Sequence, residues 1–411
     1  MQTVVLAAGR GTRMRPLTDR QLKPMLPVAG RPLVAHTVEA AADAGASRVV
    51  LVVQPDDGSV SEFFGDEYAG VTLDYAVQTE QRGTADAVRA AAPHLDDAPF
   101  VVLNGDALYD HASLATLYDR APAVGAFRVP DPSQYGVLLT DEAGERVTGV
   151  VEKPADPPSN LVNAGAYALP AAAKSWLDVD ESERGELEFT DVLARACETS
   201  DVRPVAFERW LDVGRPWELL EANEWQLGEL DGRVDGAVHA DAELSGDVVV
   251  ADGATVRSGV VIEGPAYVDS GATVGPNAYI RGSTYVGPEA NVGHAVEVKN
   301  SVLMAGAHAG HLAYVGDSVL GRETNLGAGT KVANLRHDGA DVQTLVKGDV
   351  VSTGRRKFGV VLGDGAKTGI NTSLNAGVKL PTDGATRPGE VVLFDPDSEK
   401  GREARDGRGD E

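Results

Sequence analysis

A glycine-rich segment with three arginines follows the first apolar run of the chain. It reads Leu6-Ala-Ala-Gly-Arg-Gly-Thr-Arg-Met-Arg15. Glycines let backbone N–H groups approach an anion closely, and arginines add positive charge. The segment has neither the dinucleotide-binding spacing nor the Gly-Lys-Ser/Thr ending of a P-loop. Its shape predicts a loop that holds a triphosphate, and the alternative is an ordinary glycine turn.

The elements that must position this loop alternate between strand-like and helix-like segments as far as about Gly228. They are Thr3–Ala8, Leu33–Ala44, Val49–Val53, Ala85–Ala92 and Phe100–Leu103. This alternation predicts a mostly parallel sheet with helices on both faces, which is a Rossmann-like α/β domain. Ligands bind such sheets at the carboxyl ends of the strands, so the residues after Thr3–Ala8 and Phe100–Leu103 are site candidates.

A different pattern follows the helical connector Pro216–Leu230, with an apolar residue at every sixth position. The positions in phase are Val250, Val256, Ile262, Val268, Val274, Ile280, Val286, Val292, Val298 and Met304. Hexapeptide periodicity is typical of a β-helix, in which each repeat forms one short strand with its turn. We therefore predict a left-handed parallel β-helix with three hexads to a coil.

The six-residue phase is interrupted twice. It slips around Ala309–Tyr314 and resumes at Tyr314, and it is lost again in Leu335–Lys357, which we interpret as a loop outside the coil. We divide the chain into an α/β domain (1–228), a β-helix domain (229–394) and a charged tail (395–411). The tail has almost no apolar residue, so we expect it to be disordered.

The chain is strongly acidic. It has 62 aspartates and glutamates against 37 lysines and arginines, which gives a net charge of −25 over 411 residues. Such a surface repels phosphate backbones and excludes general nucleic-acid binding. Ten of the 37 basic residues are lysines, and an acidic, lysine-poor surface suits a salt-rich (halophilic) cytoplasm, although solubility alone would explain it too. An anionic substrate must therefore be bound by local basic clusters.

Hydropathy and cysteine content restrict the compartment. No apolar run approaches the roughly 18–20 residues of a membrane span, and the start lacks the positive region of a signal peptide. The single cysteine, Cys197, excludes a disulfide framework and a cysteine-rich metal site. We expect a cytoplasmic protein with no membrane partner.

Seven motifs in the α/β domain resemble, in order and spacing, the signature of sugar-1-phosphate nucleotidylyltransferases. They are Gly9-Arg-Gly-Thr-Arg13-Met with Lys23-Pro-Met-Leu-Pro27, Gln78-Thr-Glu-Gln-Arg-Gly83-Thr84, Asn104-Gly-Asp106, Tyr135-Gly136, Val151-Glu152-Lys153-Pro154, Asn163-Ala-Gly165 and Trp210-Leu-Asp212-Val-Gly214. The resemblance implies that a sugar-1-phosphate oxygen attacks the α-phosphate of a nucleoside triphosphate and releases pyrophosphate. Catalysis would then consist mostly of alignment and charge neutralisation.

The same resemblance assigns roles to individual residues. Arg13 would hold the departing pyrophosphate, and Lys23 would bridge the α-phosphate and the sugar phosphate. Asp106 and Asp212 would share a Mg²⁺, although an isolated aspartate after a strand is more often a helix cap. The nucleotide would contact Leu6, Ala8, Gly9, Gln78, Gly83 and Thr84, and the sugar would contact Gly136, Glu152, Lys153 and Asn163.

The interrupted part of the β-helix resembles the acetyltransferase site of the bifunctional N-acetylglucosamine-1-phosphate uridylyltransferase/glucosamine-1-phosphate N-acetyltransferase family (GlmU). The matching segments are Ala309-Gly-His311-Leu-Ala-Tyr314-Val-Gly-Asp317 and Asn325-Leu-Gly-Ala328-Gly-Thr330. An amine that attacks a thioester must lose a proton, and His311 would be the base that accepts it. The substrate-binding positions would be Arg281, Lys299, Tyr314, Asn325, Ala328 and Asn334.

Arg281 and Lys299 lie 18 residues apart, which is one coil of three hexads. We therefore expect them to stack on one face and to bind an anion. Coils of this type resemble trimer-forming domains, with acetyl-coenzyme A between neighbouring subunits. The resemblance thus implies a homotrimer with UTP, a sugar-1-phosphate and acetyl-coenzyme A as its small-molecule partners.

The sequence departs from the family pattern at several positions. Leu335 stands where bacterial members usually carry a tyrosine, and the lysine of the following loop is not matched. Gly354-Arg-Arg-Lys357 supplies a basic cluster instead, which either meets the coenzyme A phosphates or caps a turn. Trp210-Leu-Asp212 is closer to glucose-1-phosphate uridylyl- and thymidylyltransferases, a mixture that resembles archaeal-type bifunctional enzymes.

Three functions remain open from the sequence. The first is a bifunctional enzyme that acetylates glucosamine-1-phosphate and couples N-acetylglucosamine-1-phosphate to UTP. The second is a glucose-1-phosphate uridylyl- or thymidylyltransferase with a purely structural β-helix. The third is a regulatory protein that binds a sugar nucleotide without turnover.

Overall fold

A computed structural model describes residues 1–55, 58–182, 184–396 and 398–401. Contacts divide the chain into two units. The sheet unit contains Met1–Arg10, Lys23–Met25 and Pro32–Asp212, and the coil unit contains Gly11–Leu22, Leu26–Arg31 and the chain from Val213 onward. Most of the tail that the sequence predicts to be disordered, from residue 402, lies outside the described residues.

Fourteen strands and six α-helices occur among the described residues that precede the β-helix. The strands are β1 Gln2–Leu6, β2 Pro27–Val28, β3 Arg31–Pro32, β4 Arg48–Val53, β5 Glu67–Tyr68, β6 Val71–Val77, β7 Phe100–Asn104, β8 Ala107–Tyr109, β9 Ala123–Arg128, β10 Gly136–Thr140, β11 Val147–Glu152, β12 Leu161–Leu169, β13 Arg203–Ala206 and β14 Trp210–Asp212. The helices are α1 Leu33–Asp43, α2 Ser59–Phe64, α3 Thr84–Ala91, α4 His111–Tyr118, α5 Phe189–Thr199 and α6 Pro216–Leu227.

The central sheet of the sheet unit has the strand order β11-β10-β12-β7-β1-β4-β6-β5. Strand β1 lies between β4 and β7 and is parallel to both, with Val4 opposite Val50 and Val102. These valines are fully buried, because helices cover both faces of a parallel sheet. The parallel pairing brings the carboxyl ends of β1 and β7 together, with Leu6 opposite Asn104.

The β-helix consists of three parallel sheets, which we call its first, second and third faces. The first face contains Arg233–Val234, Val248–Val250, Ala266–Val268, Thr284–Val286, Val302–Leu303, Val319–Leu320, Val361–Leu362 and Lys379–Leu380. The second contains Ala237–Val238, Thr255–Val256, Thr273–Val274, Asn291–His294, His308–His311 and Asn325–Leu326. The third contains Glu243–Ser245, Val261–Glu263, Tyr279–Arg281, Glu297–Lys299, Tyr314–Gly316, Lys331–Val332, Ser373–Leu374 and Val391–Val392.

The hexad phase of the sequence is wrong at two positions. Leu303 and Val315 belong to the buried core of the coil, in the places that the periodicity gives to Met304 and Tyr314. The cause is a shortened corner after the third face. Three residues, 282–284, lie between Arg281 and Tyr285. On the next coil only Asn300 and Ser301 lie between the register partners of these two residues, Lys299 and Val302.

Each shortened corner turns on one residue in the left-handed region, first Asn300 with φ 45° and then Asp317 with φ 50°. Partners on successive coils are consequently 17 residues apart, as in Val298↔Val315 and Leu303↔Leu320. The slip leaves Tyr314 half-exposed on the outer surface of the third face.

The polar stretch that the sequence places outside the coil contains a hairpin. Its strands are Gln343–Val346 and Asp349–Ser352, joined by a turn at Lys347 and Gly348. No helix in the described part of the chain is long and apolar enough to cross a membrane.

Candidate active sites

A cleft of about 280 Å³ lies at the carboxyl ends of the parallel strands of the sheet unit. Its lining includes eight residues that the sequence predicts to bind nucleotide, sugar phosphate or metal: Leu6, Ala8, Gly9, Lys23, Gln78, Gly83, Thr84 and Asp106. The backbone N–H of Gly105 donates a hydrogen bond to the Leu6 carbonyl at 3.0 Å, which joins the ends of β1 and β7. The sheet topology thus brings segments from four parts of the sequence to one cleft.

Lys23 and Asp106 form the charged centre of this cleft. The Lys23 ammonium lies 2.5 Å from Asp106 Oδ2, and the two side chains are 6% and 34% exposed. A cation buried to this extent requires a charged partner, because its desolvation is costly. The pair leaves a positive group fixed next to a carboxylate that still reaches the cleft.

Asp212 lies beside Asp106 in a two-stranded ribbon. Strand β14 pairs antiparallel with β8, and Asp212 is opposite Ala107, the residue that follows Asp106. Both carboxylates are close enough to Tyr109 to add to the effect of burial, which raises the pKa of this phenol well above its ordinary value. Two neighbouring carboxylates are a fitting partial ligand set for Mg²⁺, which takes one or two carboxylates together with substrate phosphates.

The base-reading candidates Gln78 and Thr84 are held by hydrogen bonds. The buried Gln78 amide donates to the Gly83 carbonyl at 3.1 Å and to Asp86 Oδ2 at 3.0 Å. Thr84 Oγ1 accepts a hydrogen bond from the backbone N–H of Phe189 at 3.0 Å. Gln81, which the sequence analysis left without a role, donates to the Ala8 carbonyl at 2.6 Å and also lines the cleft.

The four sugar-binding candidates form a second group in the sheet unit. Gly136 on β10 is opposite Glu152 on β11, and Glu152 Oε1 lies 3.5 Å from Lys153 Nζ. Arg184, which the sequence analysis missed, lies 3.4 Å from the same oxygen. Asn163 donates to the Tyr167 hydroxyl at 2.5 Å. None of the four predicted residues is among the described residues that line the 280 Å³ cleft.

Arg13 belongs to the coil unit. Its guanidinium lies against Gly214, so close that a Cβ at this glycine would be 3.0 Å from Arg13 Nη2. Gly214 in turn donates its N–H to Glu218 Oε2 at 2.7 Å, at the start of α6. The end of the Trp210-Leu-Asp212-Val-Gly214 motif therefore provides the surface on which Arg13 rests.

On the third face of the β-helix, Arg281 and Lys299 are in register on successive coils, as the 18-residue spacing predicts. Arg281 Nη2 lies 2.7 Å from Glu297 Oε1, and Lys299 Nζ lies 2.7 Å from Asp317 Oδ2. The Asp317 side chain is 3% exposed. The buried Asp317 carboxylate therefore holds Lys299, whose side chain remains 16% exposed.

Tyr314 and Asn334 extend this cluster. The Asn334 amide donates to Asp317 Oδ2 at 2.5 Å and to the Tyr314 hydroxyl at 3.3 Å. Burial raises the pKa of Tyr314, and the charges of Glu297 and Asp317 add to this effect. Gly316 leaves the space for both side chains, since a Cβ there would lie 2.6 Å from Asn334 Nδ2 and 2.7 Å from the Tyr314 hydroxyl.

His311 is exposed at the end of a second-face strand, and its register partner on the previous coil is the exposed His294. Two residues, Leu312 and Ala313, separate His311 from Tyr314, the first residue of the third-face strand, so the histidine stands near the corner between the two faces. Asn325 is exposed on the second face opposite His308, and the Ala328 carbonyl accepts a hydrogen bond from Asn371 N–H at 2.8 Å.

The basic cluster Gly354-Arg-Arg-Lys357 has a partner within the coil unit. Arg355 forms an ion pair with Glu224 on α6. The Asn300 amide donates to the same carboxylate at 2.7 Å and to Asp317 Oδ1 at 3.0 Å. Glu224 therefore connects this cluster to the corner that carries Asp317.

Comparisons with known proteins cover both units. The family profile of nucleotidyl transferases matches residues 2–228, and that of the GMPPB C-terminal domain matches residues 262–384. A bifunctional sugar-1-phosphate nucleotidylyltransferase/acetyltransferase of Sulfurisphaera tokodaii is 35% identical over 96% of this chain and 98% of the relative. A bifunctional protein GlmU of Methanococcus vannielii is 38% identical over 97% of this chain and 96% of its own length. The chain belongs to this GlmU-type family.

A solved structure supports the fold of the sheet unit. The crystal structure of UDP-glucose pyrophosphorylase complexed with UDP-glucose superposes with a TM-score of 0.51 at 25% identity. The match covers 56% of this chain and 99% of the other. The predictions of the GlmU-type family, of a transferase enzyme and of a Rossmann-like nucleotidyltransferase domain followed by a β-helix are confirmed.

Proposed function

We propose that the chain carries out both GlmU-type reactions. The sheet unit and the glycine loop transfer a uridylyl group from UTP to N-acetylglucosamine-1-phosphate and release pyrophosphate. The β-helix transfers the acetyl group of acetyl-coenzyme A to glucosamine-1-phosphate. The observation that carries the proposal is the presence of two separate clusters, Lys23–Asp106 at the strand ends and Arg281–Lys299–Asp317 on the third face.

In nucleotidyl transfer, an oxygen of the sugar phosphate attacks the α-phosphorus of UTP. The bond between the α-phosphorus and the bridging oxygen breaks, and pyrophosphate leaves with the electron pair. Lys23 neutralises the phosphate on which charge accumulates, and Arg13 holds the departing pyrophosphate. Such positioning and fixed positive charge supply most of the catalysis in phosphate transfers, without a covalent intermediate.

Mg²⁺ fits the carboxylates at the end of the ribbon. Asp106 and Asp212 would hold it, because hard oxygen ligands suit this ion. When bound, it neutralises charge on the phosphates. No cluster of three or more His, Cys, Asp or Glu side chains suited to a metal occurs among the described residues, which agrees with an ion that takes its other ligands from substrate and water.

The sugar is bound by the group around Glu152. Its carboxylate is held by Lys153 and Arg184 and lies against Gly136, where a Cβ would be 2.9 Å from Glu152 Oε2. Asn163 supplies an amide at the same end of the sheet. We propose that these groups hydrogen-bond the sugar hydroxyls, and that Lys153 meets the sugar phosphate.

In acetyl transfer, the amine of glucosamine-1-phosphate attacks the thioester carbonyl. The carbon–sulfur bond breaks, coenzyme A leaves as a thiolate, and the proton of the amine passes to His311. Arg281 and Lys299 bind the sugar phosphate, and Tyr314, Asn325 and Asn334 orient the sugar. The exposure of His311 supports this role, because a general base must reach the proton that it removes.

We propose that the active form is a homotrimer assembled through the β-helix. Leu312 and Leu335 are 55% and 41% exposed, and they directly follow His311 and Asn334. Apolar side chains exposed next to a site suit coverage by a neighbouring subunit. The co-substrate acetyl-coenzyme A would then bind at the same boundary, with Ala328 contributing backbone groups.

Two assays on one preparation test the proposal. Pyrophosphate release is measured with UTP and a panel of sugar-1-phosphates in the presence and absence of Mg²⁺. Thiol release is measured with acetyl-coenzyme A and glucosamine-1-phosphate, and light scattering gives the mass of the particle. We expect Mg²⁺-dependent pyrophosphate release that is fastest with N-acetylglucosamine-1-phosphate, thiol release, and the mass of three chains. The absence of thiol release would leave a nucleotidyltransferase with a structural β-helix.

A further inference from the structure

A second cleft, of about 400 Å³, lies in the coil unit and shares no lining residue with the 280 Å³ cleft. Three segments form it: the glycine loop, the Lys347 hairpin and the last coils of the β-helix. Four cations line it, Arg13, Arg15, Lys347 and Lys379. In a chain with 62 acidic residues against 37 basic ones, four cations around one cleft are a strong local reversal of charge.

Among the described residues, three of these four cations have no carboxylate within ion-pair distance. Within the described residues, Arg15 lies 3.4 Å from Asp19, whereas no carboxylate lies within 4.0 Å of the charged nitrogens of Arg13, Lys347 or Lys379. The two acidic residues in the lining are Asp19 and Asp395. Asp395 Oδ1 accepts a hydrogen bond from the backbone N–H of Lys379 at 2.6 Å.

Lys379 is the most unusual of the four. Its ammonium donates to the carbonyl oxygen of Arg15 at 3.5 Å, a neutral and distant acceptor. Burial lowers its pKa, and the charge of Asp395 opposes this effect only in part. A desolvated ammonium that faces a cleft without a matching carboxylate favours an anion as its partner.

The hairpin that carries Lys347 forms another part of the cleft lining. Lys347 occupies the left-handed region with φ 53° at the turn between the two hairpin strands, and Leu345 and Val346 complete the lining. This hairpin lies in the stretch that interrupts the hexad pattern, and neither proposed reaction uses it. The turn of this hairpin thus adds the Lys347 cation to a cleft that is otherwise lined by the glycine loop and the last coils.

We infer that this cleft binds a polyphosphate group, of the kind found in inorganic pyrophosphate and in nucleoside diphosphates. Its volume accommodates a diphosphate, and its four cations match two adjacent phosphates. The binding inference does not depend on the proposed reactions. Arg13 belongs to both the cleft and the proposed pyrophosphate contact, so we also expect an occupied cleft to slow nucleotidyl transfer, and this second expectation rests on the proposed function.

The test measures the binding of pyrophosphate, and separately of UDP, to the full chain by equilibrium dialysis. The variant Lys347→Gln/Lys379→Gln removes two cations of the cleft, and Arg257→Gln/Lys174→Gln removes two cations that do not line it. We expect the cleft variant to lose one binding site per chain, or to bind there at least about tenfold more weakly, and the control to match the wild type. The more weakened ligand identifies the source of the polyphosphate.

Failure of this inference and failure of the proposed function give different results. If the wild type and the cleft variant bind the same number of anions with the same affinity, the cleft is not an anion site, whatever the catalytic activity. If the wild type binds one anion and the cleft variant binds none, the cleft is an anion site, whatever the catalytic activity. The absence of pyrophosphate release from UTP in a wild type that binds this anion would contradict the proposed function alone. Lys347→Gln alone, at an exposed turn, guards against misfolding of the double variant, and it must weaken binding in the same direction.

Discussion

The two candidate active sites acquire their charged groups in different ways. In the sheet unit, the Lys23–Asp106 pair joins two residues that are 83 positions apart in the sequence and lie in different segments of the chain. On the third face of the β-helix, Arg281 and Lys299 occupy the same register position on successive coils. The first site depends on long-range sheet topology, whereas the second is a local product of the repeat.

The difference affects how each site tolerates change. A loop site such as that around Lys23 can gain or lose a contact without changing the strands beneath it. In the β-helix, the cations and their carboxylates are parts of the coils, because Asp317 is itself the residue on which a corner turns. We therefore expect substitutions at Asp106 to leave the strands in place while removing the partner of the buried Lys23, and substitutions at Asp317 to disturb a corner of the coil as well.

The largest effect should follow Asp106→Asn. The substitution removes a carboxylate from the proposed metal pair and the charged partner of Lys23, so uridylyl transfer should fall by about 10²–10³-fold. Thiol release from acetyl-coenzyme A should be unchanged. Paired initial rates of pyrophosphate and thiol release on the same preparation check this expectation, and Asp43→Asn, at an exposed carboxylate, is the control. Equal losses of both activities would contradict the independence of the two sites.

His311→Asn should have the opposite effect, because it should impair acetyl transfer and leave uridylyl transfer intact. Without the proposed base, acetyl transfer should fall by about 10²–10⁴-fold, the usual contribution of general acid–base catalysis. Pyrophosphate release should remain at the wild-type rate. His294→Asn, at the register partner on the previous coil, is the matched control and should reduce acetyl transfer much less. If the two variants behave alike, the base has been assigned to the wrong residue.

Asp317→Asn should have an intermediate effect. The buried carboxylate accepts hydrogen bonds from Lys299, Asn300 and Asn334, so the change releases the Lys299 ammonium from its position. We expect KM for glucosamine-1-phosphate to rise about tenfold with a smaller change in kcat, because the phosphate contact is made in the ground state as well as in the transition state.

A matched control separates this effect from simple destabilisation. Asp364 is a second buried carboxylate of the β-helix, and it accepts hydrogen bonds from the Arg322 guanidinium. Asp364→Asn should lower the melting temperature by a similar amount and leave KM for glucosamine-1-phosphate unchanged. An equal rise of KM in both variants would show that Asp317 acts through stability alone.

The sequence predicts the residues of both sites better than it predicts their neighbours. Asp106 and Gly9 follow apolar strands, and the spacing of Arg281 and Lys299 equals one full coil, so local rules suffice for them. The orientation of Tyr314 depends on the shortened corners at Asn300 and Asp317, which shift the hexad phase. Counting in steps of six residues assumes that every corner has the same length, and for this reason it places Tyr314 inside the coil.

The sequence also does not predict that most of the glycine loop belongs to the coil unit. Residues Gly11–Leu22 are grouped with the β-helix because of contacts between residues more than 300 positions apart. Arg20 pairs with Asp383, and Thr382 donates its hydroxyl to Asp19 at 2.9 Å. Such contacts form between surface side chains that no periodicity marks.

These contacts lead to the smallest expected effect, that of Asp383→Asn. The Arg20–Asp383 pair is 51% and 61% exposed, and exposed ion pairs contribute little to stability because solvent screens them. The loop carries Arg13, so weaker anchoring should lower uridylyl transfer by about two- to threefold and leave acetyl transfer unchanged. Added salt should reduce the wild-type rate towards that of the variant, because salt screens an exposed pair. A variant with wild-type uridylyl transfer at low salt would show that other contacts hold the loop instead, of which the hydrogen bond that Arg322 donates to the Arg20 carbonyl at 3.0 Å is the first to examine.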